Sequence, residues 1–262
     1  MSDSKMTHLG LVVALAREAE MLTQSQVEKN VPTELQGGSW LYVSGAGALR
    51  AKHAADALVE CGCRVLVSWG TVGALDHHLK PGQLFLPEAI HTESGNVYPV
   101  DRSWHMHLRR LFETSLDIVL GNLLTVDRII TSVSEKQDLK KRHSAVAVDM
   151  EAAAVAEVAM AYNLPFFAIK TPVDLADQRL PLWLIRSLDP WGHVLKKNLV
   201  KNVFHVTFAD GVLLRQLFAN FRRSQQTLAV IARKTDGLSF RNTGPFDTPA
   251  ACLTGTQSDS SQ

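Results

Sequence analysis

Acidic side chains follow three predicted strands, each at the point where the strand ends. Glu18 comes after the first strand, Asp149 and Glu151 lie within VDME at a later strand end, and Asp174 lies within TPVDLAD after another. In an open α/β sheet the carboxyl ends of the strands form the ligand crevice, so we expect these carboxylates to meet there. Helix N-terminal acids and Asx turns are the ordinary alternative for each of them taken alone.

Two of these acids have the chemistry to act on a purine nucleoside. A carboxyl group at Asp174, placed beside a purine, could donate a proton to N7 and so turn the base into a neutral leaving group. Glu151 could accept hydrogen bonds from two ribose hydroxyls, with the Met150 thioether against the sugar face. Three acidic strand ends in one predicted cleft favour this hypothesis more than any one of them does.

Two glycine-containing segments are also predicted to follow strands. Gly45-Ala46-Gly47 and Gly70-Thr71-Val72-Gly73 would let backbone N–H groups approach a phosphate or a sugar. Structural turns explain such glycines equally well, and the first segment lacks the third glycine of the dinucleotide fingerprint, so no nicotinamide cofactor is expected. His77-His78 has no partner at metal-ligand spacing, and no serine lies in a Gly-x-Ser-x-Gly context, so neither a metal site nor an acyl-serine mechanism is predicted.

The elements that must position these residues alternate between strand and helix. The apolar run Leu9 to Leu15 is typical of a strand buried on both faces of a parallel sheet. The pattern predicts one α/β domain over residues 1–180, with a central mixed, mostly parallel sheet flanked by helices. The further strands are predicted at 40–44, 64–69, 83–89, 122–130, 145–148 and 165–170, and the helices at 16–23, 49–61, 104–115, 136–142 and 151–162.

Residues 181–234 are predicted to be a helical extension that is basic and amphipathic. Between residues 195 and 234 eight basic residues stand against the single acid Asp210, interleaved with leucine, valine and phenylalanine. Such helices can lie in an anionic membrane interface, or they can pack on the domain or across a dimer interface. Residues 235–262 are rich in Ser, Thr, Gly and Pro, which predicts a disordered tail.

The composition excludes several classes of protein. A formal net charge of +1 over 262 residues supplies no field that would attract nucleic acid. Three cysteines make neither a disulfide framework nor a zinc site, which favours the reducing cytosol. The polar N-terminus is unlike a signal peptide, and no apolar run reaches the roughly 20 residues that span a bilayer. We therefore expect a cytoplasmic protein, with peripheral contact to the inner membrane face through residues 195–234 as an open expectation.

The ordered blocks VVALAREAEML, SGAGALRA, WGTVGAL, AVAVDMEAAAVA and TPVDLAD resemble a known family. It is the nucleoside phosphorylase and nucleosidase superfamily, which includes the methylthioadenosine/S-adenosylhomocysteine nucleosidases, and the resemblance covers about residues 9–177. DLADQRLP at 174–181 and the basic extension with DPWG at 189–192 are most similar to the hopanoid-associated phosphorylase branch. That branch implies removal of adenine from adenosylhopane, which gives ribosylhopane or its phosphate.

The resemblance implies a role for each matching residue. Glu18 would activate the attacking water, Asp174 would protonate N7, and Glu151 would bind ribose with Met150 packed on the sugar. Four further residues would line the part of the site that holds ribose and the nucleophile: Ser44, Gly45, Gly70 and Thr71. It implies neither a metal nor a covalent intermediate, and it implies a small-molecule nucleoside partner, lipid-linked in the hopanoid branch, and a homo-oligomer.

Two departures from the nucleosidase pattern leave alternatives open. The nucleosidases usually carry Ser before the catalytic Asp, whereas this chain has Val173, so one hydrogen bond that could orient Asp174 is missing. Arg17 and Arg50 lie beside the predicted nucleophile site and could bind phosphate, which makes phosphorolysis an alternative to hydrolysis and inorganic phosphate a candidate co-substrate. A soluble methylthioadenosine or S-adenosylhomocysteine nucleosidase, a purine nucleoside phosphorylase, and an inactive nucleoside- or lipid-binding protein are the other hypotheses.

Overall fold

One mixed sheet runs through the part of the chain that the computed structural model describes, which is residues 8–23, 25–35, 37–193, 195 and 208–238. Its strands are β1 (Leu9–Val13), β2 (Pro32–Glu34), β3 (Trp40–Val43), β4 (Val65–Ala74), β5 (Leu84–Thr92), β6 (Val97–Pro99), β7 (Ile118–Thr125), β8 (Ala145–Asp149) and β9 (Phe166–Pro172). The helices are α1 (Ala16–Thr23), α2 (Ala48–Glu60), α3 (Arg102–Phe112), α4 (Val133–His143), α5 (Ala152–Ala161), α6 (Leu182–Ile185) and α7 (Phe208–Lys234).

The strand order places the ends of β1, β4 and β9 side by side. The main path is β2-β3-β1-β4-β8-β7-β5-β6, and β9 pairs with β4 and β5. Strand β4 runs parallel to β1 from Leu9↔Val65 to Val13↔Trp69, and it runs parallel to β9 as far as Val72↔Pro172. Parallel neighbours end at the same edge, so the segments after β1 and β9 lie next to the last residues of β4.

Helices cover both faces of this sheet, because its central strands are apolar on both sides. On one face the small side chains of α2 and α5, such as Ala51 and Ala154, pack closely on the strands. On the other face Ala19 of α1, Trp104 of α3 and Leu228 of α7 enclose a second core. The prediction of a single α/β domain with a mixed, mostly parallel sheet and a C-terminal helical extension is confirmed.

The structure corrects several predicted boundaries. Residues 70–73 are not a turn after a strand but part of β4, because Gly70 pairs with Lys170 of β9 and Gly73 with Val148 of β8. The strand predicted at 122–130 is β7, which is shifted toward the N-terminus because Ile118 pairs with Leu84 of β5. The short edge strands β2 and β6 lie in segments for which the sequence pattern predicted no strand.

Helix α7 is part of the domain core at its C-terminal end. Leu228 and Ile231 are fully buried, and the Ser224 hydroxyl donates to the carbonyl oxygen of Pro172 in β9. Leu238 is also fully buried, and its carbonyl oxygen accepts from Ser39 Oγ at 2.9 Å. Residues 235–238 are therefore ordered, contrary to the prediction, and the rest of the predicted disordered tail, residues 239–262, lies outside the described part of the chain.

Candidate active site

The carboxyl edge of the sheet opens into a cavity of about 760 Å³ that collects most of the predicted site residues. Carboxylates from three separate strand ends line it, namely Glu18, Glu151 and Asp174. The remaining predicted residues in its wall are Thr71, Met150, Arg17 and Arg50. Residues more than 150 positions apart in the sequence are thus brought into one pocket by the parallel alignment of β1, β4 and β9.

Glu18 is held in the first turn of α1 by donors from two elements. Its Oε1 accepts from Thr71 Oγ1 at 2.6 Å and from the Thr71 backbone N–H at 2.8 Å, and its Oε2 accepts from the Leu15 N–H at 3.2 Å. Burial raises the pKa of Glu18 above its ordinary value, and these hydrogen bonds together with Lys170 oppose that shift only in part. A buried carboxylate with a raised pKa has the properties of a general base.

Gly70 makes the close approach of Glu18 possible. A Cβ atom at this position would lie 2.6 Å from Glu18 Oε2 and 2.9 Å from its Cδ, and the backbone φ of +142° is one that side-chain-bearing residues rarely adopt. The geometry therefore gives Gly70 a different role from the predicted one. Its missing side chain leaves the space in which the Glu18 carboxylate lies next to Thr71.

Glu151 is fixed by one backbone donor from the turn that follows β3 and one from the residue that precedes it. Its Oε1 accepts from the Gly47 N–H at 2.8 Å, and its Oε2 accepts from the Met150 N–H at 3.2 Å. Burial and the neighbouring Asp149 raise the pKa of Glu151 to about 7. The Gly47 N–H thereby connects the SGAGALRA segment to the VDME segment. The sequence pattern predicts that both segments lie at the same cleft.

A buried ion pair that the sequence reasoning missed lies behind Glu151. Lys170 Nζ is 2.9 Å from Asp149 Oδ2, with both side chains at most 3% exposed, and Asp149 Oδ1 accepts from Thr125 Oγ1 at 2.7 Å. The lysine also lowers the pKa of Glu18 and Glu151 in opposition to burial. A single cation, Lys170, therefore lies near three carboxylates, which leaves this side of the cavity electronegative.

Asp174 lies at the end of β9 with both oxygens hydrogen-bonded. Its Oδ1 accepts from the Ala74 N–H at 2.7 Å, and its Oδ2 is 2.6 Å from Lys136 Nζ. Burial raises the pKa of Asp174, whereas Lys136 and the Ala74 N–H lower it, and the raising effect is the larger. An acid whose pKa is raised holds its proton to higher pH, as a proton donor to a base must.

Ser44 and Gly45 lie beside the cavity but outside its described lining. The Ser44 hydroxyl donates to the carbonyl oxygen of Gly45 at 2.8 Å and to that of Val13 at 3.3 Å, so it serves the local backbone. A Cβ at Gly45 would lie 3.3 Å from Trp191 Nε1, so this glycine admits the loop at residues 189–192. The prediction that Ser44 and Gly45 line the part of the site that holds ribose and the nucleophile therefore finds no support in the described lining of the cavity.

Arg17 and Arg50 line the cavity while remaining exposed to solvent. Arg50 Nη1 donates to the carbonyl oxygen of Ala46 at 3.2 Å, which places its guanidinium over the turn that follows β3. Both cations are therefore available to an anion that enters the cavity, although their exposure weakens each interaction.

Much of the remaining cavity wall is apolar and comes from the C-terminal extension. These side chains belong to α6, to residues 186–193 that follow it and to α7: Leu184, Ile185, Leu188, Trp191, Leu214, Leu217, Phe218 and Phe221. The cavity thus has a carboxylate-rich floor at the sheet edge and an apolar wall opposite. Such an arrangement suits a ligand with one polar and one apolar part.

Lys136 and Lys170 are the site residues that sequence reasoning did not single out. Lys136 carries a signal in retrospect, because it lies between Val133 and Leu139 at helical spacing, on the face of α4 where Leu139 is fully buried. The signal for Lys170 is its place near the end of an apolar strand that is buried throughout, because a buried lysine needs a carboxylate partner.

Comparison with known proteins shows the family. Residues 8–188 match the family described as the Phosphorylase superfamily. A 5'-methylthioadenosine/S-adenosylhomocysteine nucleosidase of Baumannia cicadellinicola is 24% identical over 198 residues, which are 64% of this chain and 86% of that protein. The enzyme of the same name from Buchnera aphidicola is 28% identical over 132 residues, which are 44% of this chain and about half, 52%, of that protein.

Solved structures share the fold at lower identity. Futalosine hydrolase of Helicobacter pylori has a TM-score of 0.66 at 16% identity and covers 88% of this chain and 97% of its own. The nucleosidase of Neisseria meningitidis in complex with methylthio-immucillin-A has a TM-score of 0.63 at 18% identity and covers 89% and 98% respectively. With a family match over more than half of its length and this fold, the chain belongs to the phosphorylase superfamily.

Proposed function

We propose that this protein is an enzyme that cleaves the N-glycosidic bond of a purine nucleoside. The observation that carries the proposal is the convergence of Glu18, Glu151 and Asp174 in one cavity, each buried and each with a raised pKa. Family membership and the nucleosidases among the relatives support an N-glycosidase of this kind.

The geometry supports a mechanism in which protons move at both ends of the bond. Asp174 donates its proton to N7 as the C1′–N9 bond breaks, and the bonding electron pair leaves with the base. Positive charge then develops on the ribose, where the buried carboxylates Glu151, Asp149 and Glu18 stabilise it. Glu18 takes the proton of a water molecule whose oxygen bonds to C1′, while Glu151 accepts hydrogen bonds from the ribose hydroxyls.

Water is the nucleophile that we propose first, because Glu18 is a buried carboxylate and would repel a phosphate dianion. Phosphate is the second candidate, since Arg17 and Arg50 both line the cavity. The phosphate dependence of base release separates the two: a rate that saturates with phosphate assigns phosphorolysis, and a rate independent of phosphate assigns hydrolysis.

For the substrate we propose adenosylhopane, the adenine nucleoside of a polycyclic lipid. Support comes from the apolar wall that α6 and α7 add to the cavity, because a small polar nucleoside gives no reason for so much apolar lining. The relatives that are nucleosidases of methylthioadenosine and S-adenosylhomocysteine support these two nucleosides equally well, so both remain alternative substrates.

A lipid substrate would also explain the outer surface of α7. Val212 and Phe218 are 58% and 55% exposed next to the cavity, and the exposed Arg215 and Arg222 lie on the same helix. We propose that this surface contacts an anionic membrane as a peripheral anchor. No helix in the described ranges is long and apolar enough to cross a membrane.

Flotation with anionic liposomes tests the membrane contact. Truncation before α7 is unsuitable, because Leu228 and Ile231 belong to the core. Phe218→Ser should reduce flotation, whereas Met160→Ser, which removes an equally exposed apolar side chain elsewhere, should not. Equal flotation of both variants and the wild type would refute the anchor.

The decisive experiment for function is adenine release by the purified protein, followed by chromatography. Adenosylhopane and methylthioadenosine are each supplied with and without phosphate. Release from adenosylhopane alone supports the lipid substrate, and release only from methylthioadenosine retains the mechanism but overturns that substrate. Release from neither by folded protein favours the binding-only alternative.

The homo-oligomer stays a prediction, and light scattering of the same preparation would measure the oligomeric state.

A further inference from the structure

Asp174 follows a residue without a side-chain hydroxyl, and its charged partner is a lysine from helix α4. Val173 occupies the preceding position, and its backbone N–H donates to Val72 within the sheet at 3.0 Å. Lys136 of α4 brings its Nζ to 2.6 Å from Asp174 Oδ2, and both side chains are 1% exposed. A charged partner from a separate helix thus contacts the acid directly, in a place closed to solvent.

The surroundings of Lys136 hold it as an ammonium ion. Besides Asp174, its Nζ donates to the carbonyl oxygens of Leu175 at 2.7 Å and Gln178 at 3.1 Å. Three acceptors require three N–H hydrogens, and a neutral amine has only two. The two carbonyls belong to the loop that begins at Asp174, so one cation fixes both the acid and the backbone that carries it.

Helix α4 is itself anchored at its solvent side. Ser132 caps the helix by accepting from the Glu135 N–H, and the Glu135 carboxylate pairs with Arg128 at 2.9 Å. Lys140, one turn after Lys136, pairs with Asp76 at 2.7 Å. The stem of Lys136 therefore starts from a fixed helix, and its ammonium reaches the cavity in a defined position.

We propose that Lys136 is a positioning residue for Asp174, the acid that protonates the purine base. Its ammonium group fixes the Asp174 carboxyl group and faces the negative charge left there when the proton has moved to N7. The proposal rests on the proposed base release. Before transfer the proton is on Asp174 and Lys136 is already cationic. After transfer the base is neutral, and the carboxylate and the ammonium form a closed pair.

Charge on Lys136 also opposes the burial that keeps Asp174 protonated. Burial raises the pKa of Asp174, and among the charged groups near it Lys136 is the one that lowers it, with the Ala74 N–H from β4 acting in the same direction. Removal of the ammonium leaves burial opposed only by backbone hydrogen bonds, so Asp174 should hold its proton to higher pH and be a weaker acid.

The test measures pH profiles of kcat/KM with the nucleoside that the wild type hydrolyses, methylthioadenosine or adenosylhopane. Lys136→Met keeps the length of the side chain without its charge, and Lys136→Gln keeps a donor without charge. We expect the alkaline limb to move up by about 1–3 pH units in both variants. At the plateau we expect kcat to fall by about 100-fold in Lys136→Met, with KM little changed and a smaller loss in Lys136→Gln. The control Lys141→Met, which removes the charge of an exposed lysine on the same helix, should match the wild type.

A titration of the Asp174 carboxyl carbon by NMR tests the pair without turnover. The signal is assigned by its loss in Asp174→Asn, and its midpoint should rise by about 1–3 units in Lys136→Gln, which retains a hydrogen bond and so tolerates folding better than Lys136→Met. An unchanged midpoint and an unchanged pH profile would overturn the role of Lys136. A shifted midpoint in a protein that releases no base would instead reject the proposed function alone.

Discussion

Replacement of Gly70 by alanine should remove activity by displacing Glu18 rather than by unfolding the protein. The added methyl group would lie 2.6 Å from Glu18 Oε2, whereas ordinary contacts begin at 3.4 Å, so the carboxylate must move by about 0.8 Å. Such a shift breaks the 2.6 Å and 2.8 Å hydrogen bonds to Thr71. A misplacement of about 1 Å costs on the order of 100-fold in rate, so kcat/KM for base release should fall by at least that factor.

Backbone strain must be separated from this displacement, and Gly62 offers the matched control. Its φ of +88° is also one that favours glycine, but no atom lies within 4 Å of its added methyl group. Gly62→Ala and Gly70→Ala should each lose about 1–3 kcal/mol of stability from strain, measured by urea unfolding. Only Gly70→Ala should lose activity. Its loss of kcat/KM should be small when Glu18→Gln is already present, because both substitutions act on the same carboxylate. Retention of wild-type kcat/KM by Gly70→Ala would refute the reasoning.

Three further predictions concern the carboxylates. Asp174→Asn should lower kcat by about 100- to 10,000-fold because the amide supplies no acid proton, and it should lower the Tm because one oxygen must serve both Lys136 and Ala74; unchanged turnover in a folded variant rejects the assignment. Base release should fall on acidification through the raised pKa of Glu18, at a pH above its ordinary 4.5, since a base must be deprotonated, and a rate that is level down to pH 4.5 contradicts this. The folded-state pKa of Glu151, about 7, exceeds its ordinary value of 4.5, so its contribution to stability is present below pH 4.5 and lost as pH rises through 7. Glu151→Gln should therefore stabilise the fold at pH 8, by about 1–3 kcal/mol relative to its effect at pH 5 in denaturant titrations.

Strand and helix alternation could be predicted from the sequence because buried strands such as Leu9–Val13 are continuously apolar. The meeting of Glu18 with Asp174 followed from the rule that parallel strands end at one edge. The extent of β4 through residues 70–73 could not be predicted in the same way. Its glycines are typical of a turn, and only pairing with β9 and β8 keeps them extended.

The two buried lysines show where sequence patterns carry too little information. Lys136 lies among charged residues in SEKQDLKKRH, which resembles a solvated helix, and its partner Asp174 is 38 residues away. Lys170 of β9 pairs with Asp149 of β8, so its partner comes from another strand and not from its own sequence neighbours. Burial of such charges depends on a partner brought by tertiary structure, so local composition predicts exposure for both.

The position of α7 has a consequence for how the chain folds during synthesis. Its buried residues Leu228 and Ile231 complete the core that begins with β1 and α1, so the first and last elements of the domain close one another. Helix α7 packs on α1 and β9, so the apolar surface of α1 lacks this cover until the intervening strands and helices have been made. Contacts of such sequence separation close slowly. The growing polypeptide therefore exposes this apolar surface of α1 until α7 has been made, and the packing of α7 ends the interval in which that surface can aggregate.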